Sequence, residues 1–338
     1  MSQPHNSRRR FLQVSAALAV APLFATAKES VQLATPTSAA ESTSKALYET
    51  LTDEQKKAVA FAWDHQEEKR GLLRTFVSAN WQITPHTVKS DFFTKKQQGL
   101  VYDLFKELVH PDWHARFLKQ LKQDCGGKEF GSDQSLAFFG KPGDDKFEFV
   151  LTGRHQTIRA DGNTTPSVAF GGPIFYGHAG MKDEEEKHHP GNVFWEQAVA
   201  ANGIYKLLDD KQRATALVAK SPKESAVGFR GKELGKAPGL SIAGLSADVK
   251  KEFQKVLDKL VEPFRVEDRT EVLTMLGTQG GLDACRLSFF KDADVGDDGV
   301  WDNWRIEGPS FVWHFRGDPH VHVWVNIADD ATVKLNAR

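Results

Sequence analysis

Phe311-Val-Trp-His-Phe-Arg-Gly-Asp-Pro-His-Val-His-Val-Trp-Val-Asn-Ile327 decides how this chain is read. Two alternating runs flank Arg316-Gly317-Asp318-Pro319, a cluster of turn formers, so the stretch predicts a β-hairpin. In the second run Val321, Val323, Val325 and Ile327 share one face, and His320, His322, Trp324 and Asn326 share the other. The two imidazoles stand side by side, with Cα atoms roughly 7 Å apart. A two- or four-residue turn puts Phe311, Trp313 and Phe315 on the histidine face. A three-residue turn reverses this and brings His314 toward the pair. The aliphatic face belongs to a core. The histidine face fits either a metal site or hydrogen-bonded histidines on a half-exposed sheet.

Outward from the hairpin, the chain changes character in blocks. A capping box at Thr52-Asp-Glu-Gln55 opens a helical region, 46–125, that includes a helix from about Thr94 to Val109 and another after Pro111. Residues 132–176 read as strands. Ser135–Phe139 and Lys146–Arg159 lie either side of the turn at Lys141-Pro-Gly-Asp-Asp145, and a third strand spans Ser167–Phe170. His155 continues the face of Phe147, Phe149, Leu151 and Gly153. Glycines around His178 suggest a loop with close backbone approach. Residues 192–280 turn helical again, interrupted by a long excursion from Ser221 to Gly244, and 284–327 return to strands. The expected fold is α+β. One mainly antiparallel sheet forms from about 135–175 and 284–327, with helical segments packed on it in a single domain, 46–338.

The first 27 residues carry an address. Ser7-Arg-Arg-Arg-Phe-Leu12 matches the twin-arginine export pattern, an apolar run follows to Ala25, and Ala25-Thr26-Ala27 predicts cleavage after Ala27. The run is too short for a stable membrane anchor. The mature protein is expected to be periplasmic or otherwise exported, with the export machinery as one partner. Residues 28–45, rich in Ala, Ser and Thr, read as a flexible linker.

Composition narrows the function. In 338 residues the formal net charge is −1, which gives no basis for a nucleic-acid partner. Two cysteines, Cys125 and Cys285, are too few for a disulfide scaffold. The G-x-S-x-G, H-E-x-x-H and Walker patterns are missing, and the acidic turn from Asp292 to Gly299 lacks calcium-loop spacing. Glu307, with Arg305 two residues earlier, could serve acid–base catalysis or form an ion pair.

The chain resembles the family called domain of unknown function 3500. The resemblance rests on Gly153-Arg-His-Gln156, Pro173-Ile-Phe175, Asp210-Lys-Gln-Arg213 and Trp304-Arg-Ile-Glu-Gly-Pro309 leading to His320-Val-His322. It implies that His155, His320 and His322 belong to one pattern. Three neutral imidazoles suit copper first, then zinc or iron. His178 or His314 would be a fourth ligand or proton relay. Two functions remain open. One is an exported metalloenzyme, oxidoreductase or hydrolase, acting on a small molecule. The other is a binding module that offers Trp301, Trp304, Trp313 and Trp324 to a glycan-like ligand.

Overall fold

The computed structural model describes residues 33–165, 167–179, 193–292, 294, 299–333 and 336–337. The twin-arginine motif, the apolar run, the cleavage point and part of the acidic turn lie outside them. Four two-residue strands come first: β1 (Ala60–Phe61), β2 (Gln66–Glu67), β3 (Gly71–Leu72) and β4 (Phe76–Val77). A meander follows, made of β5 (Ser135–Gly140), β6 (Phe147–Gly153), β7 (Gln156–Ala160) and β8 (Ile174–His178). After the short β9 (Leu217–Val218) and β10 (Leu240–Ser241) comes a second meander. It contains β11 (Arg286–Phe290), β12 (Asn303–Glu307), β13 (Phe311–Arg316) and β14 (Val321–Ile327). β15 (Asn336–Ala337) pairs with β4.

The two meanders join through antiparallel β8 and β14, giving the order β1-β5-β6-β7-β8-β14-β13-β12-β11-β10, with β9 beside β11. The fold is therefore α+β, with one sheet closed from both ends of the strand-rich sequence, as expected.

Pairing fixes the faces. Phe311, Trp313, Phe315, Val321, Val323, Val325 and Ile327 join a core that also contains Phe105, Phe117, Phe253 and Leu260 from helices. Those helices include α1 (Ala39–Thr50), α2 (Asp53–Val59), α3 (Lys95–Leu108), α4 (His114–Asp124) and α5 (Trp195–Leu207). α6 (Asp210–Ala216), α7 (Ala247–Val261) and α8 (Val266–Thr278) follow. Capping boxes start α2 and α3 at Thr52 and Thr94. The opposite face of the sheet is buried too, under irregular chain. Leu73, Phe76, Trp81 and Ile83 cover Ala137, Phe139 and Val150, while Val77 and Val227 cover Phe175, Val312 and Trp324.

Several readings of the sequence need correction. The linker stops before residue 39. Alanine is the best helix former, and α1 buries Ala40, Ser44 and Leu47 while Glu41 pairs with Arg265. The strand read through Lys146–Arg159 breaks at Arg154-His155. Gly153 pairs with Gln156 across a two-residue turn, with His155 at φ 57°. Neither turn residue belongs to the Asn-Gly or Asp-Gly type that announces such a turn. Ser167–Phe170 is no strand. It leads into a short 3-10 segment, Ala169–Gly171. The segment read as a loop around His178 is β8 itself. The glycine there does permit close approach, since a Cβ on Gly177 would lie 2.3 Å from the Val321 carbonyl oxygen.

Glu41, Asp161, Asp268 and Glu271 are all buried, and Arg265 pairs with Glu41 and Asp268. Burial pushes Glu271 up to about 9, helped by the charges of Asp161 and Asp268. Burial likewise raises Asp161 to about 6. Groups raised in the folded state hold protons that the unfolded chain releases, so their contribution is lost as pH rises from about 4.5 toward 9. Glu271→Gln should therefore gain stability over the parent, by a margin that widens between pH 5 and 9 and vanishes below about 4.5. Thermal melts across that range would measure the margin. Parallel melting curves would count against it.

Candidate metal centre

One end of β7, β8 and β14 gathers the histidines. His155 arrives on the β6–β7 turn, anchored by its N–H donating to the Ala79 carbonyl at 3.0 Å and its carbonyl accepting from Gly177 at 3.2 Å. His322 enters from β14, opposite Gly177, whose lack of a side chain lets the two backbones pack closely there. His320 precedes β14, and its carbonyl accepts from Arg316 Nη2 at 3.0 Å. The hairpin pairs Arg316 with His322. Its turn has odd parity, as in the three-residue alternative, so His314 shares the His322 face.

The Nε2 atoms of His155 and His322 are 3.1 Å apart, and those of His320 and His322 are 2.9 Å apart. One ligand nitrogen from each of the three lies within 4.8 Å of the others. His155 and His322 are buried and His320 is half-buried. This group could hold a metal ion. Nitrogens about 2.0–2.1 Å from a tetrahedral metal are about 3.3 Å apart, close to the spacing present here.

Two carboxylates fix the imidazoles. Asp124, at the C-terminus of α4, accepts from His155 Nδ1 at 2.9 Å. Glu224 accepts from His322 Nδ1 at 2.8 Å, from Trp324 Nε1 at 3.2 Å and from Arg316 at 3.3 Å. Carboxylates only accept, so both histidines carry their proton on Nδ1 and turn a lone pair outward at Nε2. Those two lone pairs face each other at 3.1 Å. A cation between them turns that repulsion into binding. This is the carboxylate–histidine arrangement that orients metal ligands.

Electrostatics keeps the groups in metal-ready states. Burial, with Arg316 and the other imidazoles, lowers His320 to about 3. Burial also lowers His322 to about 4, although the Glu224 contact works the other way. Burial opposes ionisation of Glu224, but its bonds from His322 and Trp324 and the charge of Arg316 pull it down to about 2. Asp124 is likewise held below its usual value, since its bonds from His155, Gln120 and Ala179 outweigh burial. Neutral imidazoles and ionised carboxylates are what a metal requires.

Other residues singled out from the sequence lie elsewhere. His178 pairs with Val321 on the opposite, helix-covered face, where its Nε2 meets Gln123 at 2.8 Å. His314 sits opposite Trp324 and accepts from Arg305 Nε at 3.2 Å. Neither joins the three-histidine group. Glu307 pairs with Arg305 at 3.4 Å and Arg230 at 3.1 Å, and does not join the three-histidine group. Trp304, Trp313 and Trp324 are buried, so they offer no exposed stacking surface; Trp301 is half-buried. Cys125 and Cys285 are both unpaired.

Asp124 and Glu224 went unnoticed in the sequence. Asp124 carried a faint signal, because an acid in the last turn of a helix opposes the helix dipole. Glu224 carried none. It lies in the long excursion, which crosses the histidine face. There Ala226 and Val227 carbonyls accept from Arg305 and Asn326.

Among the described residues, no helix is long and apolar enough to cross a membrane. No curated protein and no solved structure matches the chain. Residues 33–326 match the family described as "Protein of unknown function (DUF3500)", and the chain belongs to that family.

Proposed function

We propose that this DUF3500 protein is an exported metalloenzyme, an oxidoreductase or hydrolase whose centre is His155, His320 and His322. The observation that carries the reading is the convergence of three Nε2 atoms, two of them turned inward by carboxylates, one buried and one half-buried. Export rests on Ser7-Arg-Arg-Arg-Phe-Leu12 and the Ala25-Thr26-Ala27 cleavage pattern. Copper is the first choice, then zinc or iron, because the donor set is all imidazole with no thiolate or thioether.

When bound, the metal supplies Lewis acidity toward water or, for copper or iron, one-electron chemistry. The chain's own residues do the rest. Asp124 and Glu224 hold the ring orientations. Phe175 packs edge-on against His322 at 5.2 Å between ring centroids and against Trp324 at 4.9 Å, excluding water from the buried side. His320, the more exposed ligand, marks the side from which a small molecule approaches.

Three protein ligands leave a coordination position open. Cobalt(II)-loaded protein should therefore change its visible spectrum on addition of azide. A cobalt spectrum indifferent to azide would indicate a closed, structural site and defeat the enzymatic reading.

A further inference from the structure

One oxygen of Glu224, Oε2, accepts two hydrogen bonds. Nδ1 of His322 donates at 2.8 Å and Nε1 of Trp324 donates at 3.2 Å. The other oxygen, Oε1, faces Arg316 at 3.3 Å. A buried indole N–H needs an acceptor, and any carbonyl would serve. Trp324 instead shares its acceptor with a ligand of the proposed centre. Phe175 makes a second link, with its ring centroid 5.2 Å from that of His322 and 4.9 Å from that of Trp324. Trp324 is only 2% exposed, and Val77, Val227 and Val312 cluster with it and Phe175. Indole is among the most readily oxidised side chains. Losing an electron makes its N–H strongly acidic, so a carboxylate already placed to take that proton lowers the cost of the loss.

We propose that Trp324 is an internal one-electron donor to the three-histidine centre during reduction of a peroxide. Two electrons break the O–O bond, and hydrogen peroxide leaves as two hydroxides. One electron comes from the metal, copper(I) or iron(II), and the other from Trp324. The indole N–H proton passes to Glu224 Oε2, which leaves a neutral indolyl radical in a dry, apolar pocket. The inference rests on the metal-centre reading and adds the oxidant class and the side chain that supplies the second electron.

Copper(I)-loaded protein, mixed anaerobically with one equivalent of hydrogen peroxide, provides the test. Stopped-flow absorption reads the indolyl radical, and peptide mass spectrometry locates the oxygen adduct that it leaves. The adduct should fall on buried Trp324 in preference to the half-buried Trp63, Trp195 and Trp301, the reverse of what exposure alone dictates. Zinc-loaded protein should show neither radical nor adduct at Trp324. Trp324→Phe should hold copper like the parent and lose the radical. The adduct map of the parent decides the matter even if that variant does not fold. Adducts ordered by exposure, equal oxidation of Trp324 in zinc-loaded protein, or a radical that persists in Trp324→Phe would overturn the inference and leave the metal centre standing. Failure of the parent itself to hold copper would overturn both readings together.

Discussion

Asp124→Asn and Glu224→Gln should each weaken metal binding about 10–100-fold while leaving the fold intact. Both substitutions keep the shape of the side chain. They remove the charge that holds the proton on Nδ1 of His155 or His322. An amide can instead present its NH₂ group to Nδ1, which favours the opposite tautomer and turns the Nε2 lone pair into a donor. The two histidines touch and share one metal, so the losses need not add, and the double variant should bind more weakly than either single variant. Competition with a chromophoric chelator would read all three affinities. Unchanged affinity in both single variants, with circular dichroism like that of the parent, would remove the carboxylates from the site.

The second large effect concerns stability on the same loop-covered face of the sheet. Glu148 and Arg159 have fully buried side chains and are ion-paired, and Glu148 also accepts from Arg74 at 3.1 Å. Arg159 donates to the carbonyls of Arg74, Phe76 and Pro173, with the Phe76 bond at 3.0 Å and the Pro173 bond at 2.6 Å. These bonds tie the irregular chain around β4 to β7. Glu148→Gln leaves the Arg159 guanidinium without its counter-charge in a buried setting, a loss of about 3–5 kcal/mol. A packed apolar pair often replaces a buried ion pair with little loss. Here Glu148→Leu/Arg159→Met should stay destabilised, because the carbonyls held by Arg159 lose their donor. Denaturant midpoints would decide. A loss below about 1 kcal/mol in Glu148→Gln would show the pair to be dispensable.

These buried polar groups also explain which parts of the molecule could be read from the sequence. Alternation located the hairpin, a capping box located α2 and helical periodicity located α3, because such signals are local. Polar alternate positions are usually read as solvent-facing. Here His314, Arg305, Glu307 and Asn326 alternate with apolar residues yet are buried, since irregular chain covers their face. Nothing local distinguishes a polar residue facing water from one facing a distant loop. The hairpin's parity, and so the placement of His314, depends on a turn whose composition allowed either outcome. His155 was correctly grouped with His320 and His322, but through the family resemblance; its place on a turn left no mark in the alternation. Glu224 reaches His322 from 98 residues away, so only the folded chain brings the pair into view.

Metal stoichiometry tests the central claim most directly. Apo-protein titrated calorimetrically with copper(II) and zinc(II) should take up one equivalent, and His155→Ala and His322→Ala variants with parent-like circular dichroism should take up none at the same concentrations. Undiminished uptake by the folded variants, or no uptake by the parent, would contradict the account. The facing imidazoles would then be a buried polar contact rather than a metal centre.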